Sequence, residues 1–364
     1  MKSSRNAVDF MHAVSAREQQ VRAYLLDPRF RQWFRSEHLA EGVVAYLTRP
    51  AKRLRPVVLM LSCGAVGGNE CQALPAAAGV ELFHTWTLVH DDVIDNDELR
   101  RNGPTIHRMF AERLAQRGAH SSWAADYGRD VAILVGDSQH AWSLWALLET
   151  ASRAPEMTAP TLKLAQHLES VVINRLIEGE ILDVEFTREG VEELSRETII
   201  DMLYLKTGAL YEYAALAGAS LGLRETDWSH PWIMALSDFA RQCGTAFQLQ
   251  DDILGVVGDQ AQLGKPVGSD IREGKRTTIT YYAFQAASPE QRRRLESWLG
   301  NKQASEQDML AARDLLVELG GVRETAAIAR ELTEQAIPKL DVLPDSEYKD
   351  LLREWAHFLV ERAF

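Results

Sequence analysis

Two groups of aspartates carry the densest chemistry in the chain. In Leu88-Val-His-Asp-Asp-Val-Ile-Asp95 the acids are Asp91, Asp92 and Asp95; in Phe247-Gln-Leu-Gln-Asp-Asp-Ile-Leu254 they are Asp251 and Asp252. On a helix Asp91 and Asp95 project from one face about one turn apart. Like charges so placed repel unless something positive sits between them. Carboxylate oxygens with no His or Cys among them favour a hard cation, and Mg²⁺ keeps waters and shares itself with phosphate groups. An isolated Asp-Asp-x-x-Asp also describes a solvated helix end capped by arginines. Here, however, the acids end a run carrying Leu82, Phe83, Trp86, Leu88 and Val89, and a helix that apolar is not solvated all round. The second pair likewise follows an apolar run, so the two helices, converging in a bundle, would form a multinuclear metal site.

Basic residues gather separately: Lys52, Arg53 and Arg55 before Pro56; Arg100 and Arg101 after the first acidic group; Lys265, Arg272, Lys275 and Arg276 after the second. Each cluster has a bland reading as surface charge. Arginine forks and lysine point charges are also what phosphate recognition uses, and no Gly-x-x-x-x-Gly-Lys-Ser/Thr loop is present to do it with backbone amides. The pattern suggests two diphosphates, one reached through metal and one through side chains alone.

The elements that position these groups read as helices. Apolar residues recur at three and four along almost every segment, as in Leu351, Leu352, Trp355, Phe358 and Leu359, and strand signals are nearly absent. Turn material falls at Gly67 to Asn69, Asn102 to Pro104, Gly118 to Gly128, Arg188 to Gly190, Ser229 to Pro231 and Gly255 to Gly274. No linker rich in Pro, Gly or Ser interrupts the 364 residues, so the expectation is one all-α domain over 1–364, a large antiparallel bundle around a central cavity.

The composition, 46% hydrophobic and 25% charged, excludes disordered, collagenous and disulfide-scaffold classes. A net charge of −12 argues against nucleic acid held by a general basic face. Cys63, Cys71 and Cys243 form no Cys-x-x-Cys pair and suit reduced, buried thiols. The first residues lack the apolar core of a secretory signal, and no apolar stretch approaches the ~18 residues of a membrane span. A cytoplasmic location is the expectation.

Taken together, Lys52-Arg-Leu-Arg55-Pro56, His84 through Asp95, Arg100-Arg101 and Phe247 through Asp252 resemble the trans-isoprenyl diphosphate synthases, in order and in spacing. The likeness runs from about Ala51 to about Thr278 and includes Gly136-Asp137, Glu178-Gly179-Glu180 to Asp183, Lys206-Thr207 and Gly274 to Thr278. It implies a head-to-tail prenyl transfer. Mg²⁺ draws the diphosphate off an allylic substrate, isopentenyl diphosphate attacks the cation, and the departing pyrophosphate takes the proton. The resemblance gives Asp91, Asp92, Asp95, Asp251 and Asp252 to the metal, three ions in all, with Asp91 and Asp95 binding two and Asp251 the third. It gives Arg100, Lys206 and Lys265 to the allylic diphosphate, and Lys52, Arg55, His84 and Arg101 to isopentenyl diphosphate. Thr207 and Gln248 become neutral dipoles beside the cation. A homodimer is implied as well.

Two departures from that pattern stand out. The second acidic motif ends in Gly255 where the family commonly has a third aspartate; Asp259 is a conceivable replacement only if the helix continues past Gly255 and Gly258. Ala51 stands before Lys52 where a glycine pair is usual. In the resemblance, product length is set by residues just before the first motif, here Phe83, Trp86 and Thr87. Trp86 lies about 7.5 Å below Asp91 along a helix axis. A ring there suits a short-chain product, geranylgeranyl diphosphate (C20), with farnesyl diphosphate (C15) the nearest rival, and its bland reading is core packing. A class I terpene cyclase needs no second cluster of cations, and a non-catalytic partner subunit tends to lose metal aspartates; both remain alternatives, disfavoured by the full set of acids and cations.

Overall fold

The computed structural model describes residues 2–258 and 268–360. Helix dominates, and among the described residues the only strands are the two-residue pair Leu99–Arg100 and Gly103–Pro104. The all-α expectation holds. The helices group into two compact units, the described residues of Met1–Ala165 with Ala217–Trp228 forming the first and those of Gln166–Leu216 with Ser229–Phe364 the second.

The first unit holds α1 (Lys2–Leu25), α2 (Glu37–Ala45), α3 (Leu54–Ala65), α4 (Leu74–Ile94), α5 (Ile106–Gln116) and α6 (Ser121–Arg153). α4 packs along α6 and against α3 and α1, while α2 and α5 lie on α6. Of the residues of α3, all but Arg55 are buried, and α4 is buried continuously from Pro75 to Phe83. Helices apolar all round belong inside a core, so the few polar groups on them are held where the packing puts them. Between α4 and α5 the strand pair closes through Arg101 and Asn102, whose φ values of 51° and 59° are those a two-residue hairpin turn demands.

α7 (Thr158–His167) takes the chain into the second unit, which contains α8 (Ile173–Phe186), α9 (Arg196–Leu203) and a π-helical turn, Tyr204–Gly208. The chain returns to the first unit within α10 (Ala209–Leu223). Two of the three crossings, at Ala165–Gln166 and Leu216–Ala217, fall inside helices, and the third, at Trp228–Ser229, falls in the loop before Pro231. α11 (Pro231–Val257) is the spine of the second unit, followed by α12 (Ser269–Glu273), α13 (Thr278–Ala286), α14 (Pro289–Trp298), α15 (Glu306–Glu318), α16 (Gly321–Ala336) and α17 (Glu347–Val360). α11 packs on α16, α17 and the π-helical turn. The apolar stripe expected near the carboxyl terminus is α17, with Trp355 edge-on to Phe239 at 5.7 Å and tilted against Tyr211 at 5.4 Å.

Three sequence expectations shift. Gly128 lies inside α6, not in a turn, because a Cβ there would stand 2.1 Å from the His107 carbonyl; the glycine lets α5 and α6 touch. Gly255 lies inside α11, which runs on to Val257 and stops at Gly258. Cys63 and Cys243 are buried free thiols as expected, but Cys71 is exposed. No helix of the described residues is long and apolar enough to cross a membrane.

Candidate active site

In the first unit the acids fall at the end of α4: Asp91 and Asp92 lie in its last turn and Asp95 is its C-cap, with its amide still donating to the Asp91 carbonyl at 2.8 Å. Below the buried stretch, the residues of this helix that reach solvent include His84, Thr87, Leu88 and Asp91, and Asp95 follows. At about 100° per residue these share one stripe, with Thr87 about 40° and Trp86 about 140° from Asp91. Trp86 therefore faces elsewhere. It is 9% exposed and packs against His140 of α6 at 4.7 Å and against Phe83 at 5.0 Å, itself fully buried.

Asp92 differs from its neighbours. It is fully buried, takes a hydrogen bond from Arg100 Nε at 2.7 Å on Oδ1 and another from the Tyr46 hydroxyl on Oδ2. Burial still raises its pKa to about 6, against the pull of Arg100. Arg100 also reaches Asp97 at 2.9 Å and Asp91 at 3.5 Å; burial pulls its pKa down, but Asp92 and Asp91 outweigh that and hold it above the usual arginine value. The guanidinium is thereby fixed beside the acid stripe.

The basic cluster at Lys52 to Arg55 divides. Lys52 is exposed. Arg53 has a left-handed backbone, φ 45°, and its side chain turns inward to the Leu47 carbonyl at 2.6 Å, to Glu18 and to Glu81 at 3.4 Å. Arg55 lies 3.1 Å from His84 Nε2. An arginine only donates, so Nε2 accepts and the ring proton sits on Nδ1. Burial first, and then Arg55, Arg101 and Arg100, push the His84 pKa well below 6.5, so the ring is neutral. Arg101 donates to the Tyr46 carbonyl at 2.9 Å and to Glu81 Oε1 at 3.1 Å.

Glu81 and Tyr46 are the residues sequence reasoning passed over. Glu81 is fully buried in α4 and its Oε1 faces both Arg53 and Arg101; Tyr46 anchors Asp92 by its hydroxyl and Arg101 by its carbonyl. A glutamate three residues before His84 inside an apolar helix was the available signal, since a buried carboxylate needs cations.

In the second unit Lys206 and Thr207 sit on the π-helical turn, a departure from α-geometry that often marks functional positions. Gly179 of α8 makes room for it, because a Cβ there would meet the Lys206 amide nitrogen at 2.3 Å. Lys206 Nζ lies 2.6 Å from Asp183 and 2.8 Å from Glu180. The Thr207 hydroxyl donates to Gln248 Oε1 at 2.8 Å and Gln248 Nε2 donates to Asp252 Oδ1 at 2.9 Å. One hydrogen-bond chain thus joins three of the expected residues. Asp251 is half-buried, whereas Asp252 is 7% exposed and its Oδ2 has no hydrogen-bond partner. Burial, then Asp270 and Asp183, hold the Asp252 carboxyl well above the carboxylate range, against Gln248 and Lys275.

The basic segment after the second motif also divides. Lys275 lies 3.4 Å from Glu273 and 3.9 Å from Asp183, while Arg272 donates to the Ala304 carbonyl and Arg276 to the Glu189 and Gly274 carbonyls. Lys265 and Asp259 lie outside the described residues.

Among the described residues no three His, Cys, Asp or Glu side chains already form a cage for a metal ion. Mg²⁺ is bound through one or two carboxylates plus phosphate and water rather than by an all-protein cage. The oxygen-only donors and the unpartnered, buried Asp252 Oδ2 fit such a cation.

Residues 37–316 match the polyprenyl synthetase family. The short chain isoprenyl diphosphate synthase of Methanothermobacter thermautotrophicus is 35% identical over 327 residues, covering 90% of this chain and 89% of that protein. The geranylgeranyl diphosphate synthase of Saccharolobus solfataricus is 32% identical over 326 residues, 89% of this chain and 90% of that one. Among solved structures, geranylgeranyl pyrophosphate synthetase from Pyrococcus horikoshii superposes with a TM-score of 0.78 at 32% identity over the whole of both chains. Geranylgeranyl pyrophosphate synthase from Corynebacterium glutamicum, complexed with isoprenyl diphosphate and magnesium, does so at 0.79 and 29% identity, covering 97% of this chain and 99% of that one.

Two expectations follow from the geometry. Glu81→Ala leaves Arg53 and Arg101 without their buried acid and lowers the unfolding free energy in urea by about 3–5 kcal/mol, with Glu81→Gln losing less; an unmoved midpoint would contradict the pairing. Because the folded pKa of His84 is depressed, the unfolded chain takes up a proton below pH 6.5 that the folded chain refuses. Stability from this group is therefore complete above pH 6.5 and lost as the pH falls below it, and His84→Gln flattens the denaturation profile over that window.

Proposed function

The chain belongs to the polyprenyl synthetase family and is a prenyltransferase; we propose that it condenses isopentenyl diphosphate with an allylic diphosphate and releases geranylgeranyl diphosphate as its main product. The observation that carries this reading is the stripe of His84, Thr87, Asp91 and Asp95 along the half of α4 that follows its buried stretch from Pro75 to Phe83, with Arg100 locked beside it.

In this reading Asp91, Asp95 and Asp251 hold three Mg²⁺ ions, and Asp92 serves the metal site by fixing Arg100. Bound magnesium neutralises the diphosphate that leaves the allylic carbon. Arg100 and Lys206 hold oxygens of that diphosphate, and the acids around each cation keep it in place until the ligand arrives. The Thr207 hydroxyl, engaged as a donor to Gln248, leaves its own oxygen directed as a dipole that stabilises positive charge without capturing it. Lys52, Arg55, Arg101 and neutral His84 receive isopentenyl diphosphate. His84 contributes an Nδ1 proton and does not compete with Arg55 for charge. Loss of a proton to the departing pyrophosphate completes the condensation.

Product length follows from α4. Thr87 shares the acid stripe one turn below Asp91, while Trp86 and Phe83 stiffen the wall behind it through α6. A small residue backed by large rings supports C20 over C15. A homodimer is the proposed working form, supported by the exposed Ile133 and Leu134 on α6.

Asp91→Ala lowers turnover by about 10²–10³-fold or more while far-ultraviolet circular dichroism stays unchanged; near-normal turnover would sink the metal assignment. Thr87→Phe moves the main product from C20 to C15 in mass spectrometry of the released alcohols, and an unchanged C20 product would place the floor of the slot away from this stripe.

A further inference from the structure

Asp91 is followed four residues later by Asp95, but the residue four after Asp251 is Gly255. α11 remains helical through that position, so a side chain at Gly255 would project where the third acid of the motif belongs. That space is taken. A Cβ built on Gly255 would stand 2.5 Å from Asp270 Oδ2. Asp270 comes from α12 and is held there by its neighbours: Ile271, 3% exposed, packs in one cluster with Ile253 and Val256 of α11, and the Lys275 amide donates to the Asp270 carbonyl at 2.9 Å. Beside it the buried Asp252 keeps Oδ2 without a hydrogen-bond partner.

A buried acid oxygen left without a hydrogen-bond partner, with the carboxylate of Asp270 set against the same helix at Gly255, is an arrangement that a cation would complete. We propose that Asp270 supplies the carboxylate that Gly255 lacks, so that the second acidic motif is assembled from α11 and α12 and takes a divalent cation together with a diphosphate. The inference rests on the magnesium-dependent reading above and adds a residue to it. Asp270 reaches the position from outside the helix, and Gly255 is what admits it.

The test uses the full chain with Mn²⁺ and inorganic pyrophosphate as probes, free and bound Mn²⁺ being counted by electron paramagnetic resonance. Asp270→Asn, which keeps the shape of the side chain, weakens pyrophosphate-dependent Mn²⁺ binding by about 10-fold or more. Gly255→Asp alone also weakens it, because the new side chain meets Asp270. The double variant Gly255→Asp with Asp270→Ala returns the affinity to within about 3-fold of the parent, the acid now coming from α11. Binding in Asp270→Asn that is unchanged or tighter would mean that Asp270 only crowds Asp252, and a double variant no better than Asp270→Ala would mean that the two positions are not equivalent; either overturns the proposal. Should the parent chain bind no Mn²⁺ with pyrophosphate, the magnesium-dependent reading itself fails and this inference falls with it.

Discussion

A carboxylate buried beside an apolar helix must be neutralised, and the way each one is neutralised organises the chemistry of both units. An uncompensated buried charge costs several kcal/mol. Glu81, inside α4, meets that constraint by drawing in Arg53 and Arg101, and Arg101 in turn occupies a left-handed turn position that few arginines adopt. Asp92 does the same with Arg100 and Tyr46. The cations beside the acid stripe are therefore where they are because of acids that themselves never reach solvent. In the second unit Lys206 is held by Asp183 and Glu180 on the same principle, whereas buried Asp252 takes its hydrogen bond from the neutral Gln248 amide. Glu81 is thus met by two guanidinium groups, and Asp252 by a neutral amide.

Much of this was legible from residues alone, because helix periodicity and acid spacing are local. The stretch from Leu82 to Val89 reads as a buried helix ending in aspartates, and it is one. The stripe at Leu351, Leu352, Trp355 and Leu359 likewise became the buried face of α17. What escaped depends on backbone geometry or on partners far along the chain. Arg53 looks like a third member of a phosphate-binding cluster, yet its left-handed backbone sends it inward. Gly128 and Gly255 look like breaks, yet each sits within a helix where a neighbour needs the room. Trp86, next in sequence to Thr87, points into α6 because one residue on a helix is a turn of about 100°.

The same reasoning explains why neighbouring residues of one motif sit in different surroundings. Of two adjacent aspartates, one is half-exposed beside Arg100 and the other is a buried clamp. A histidine flanked by arginines is neutral and polarised rather than a further positive charge. A threonine, a glutamine and an aspartate from two elements form one hydrogen-bond chain. Each role follows from what the side chain touches.

The central claim is that these acids and cations together make a short-chain prenyltransferase that stops at twenty carbons. It is tested most directly by incubating the full chain with Mg²⁺, isopentenyl diphosphate and, in turn, dimethylallyl, geranyl and farnesyl diphosphate, then identifying the dephosphorylated products by mass spectrometry. The account predicts a predominant C20 alcohol from starters it accepts. No condensation with any of them, or a cyclic hydrocarbon formed without isopentenyl diphosphate, would contradict it.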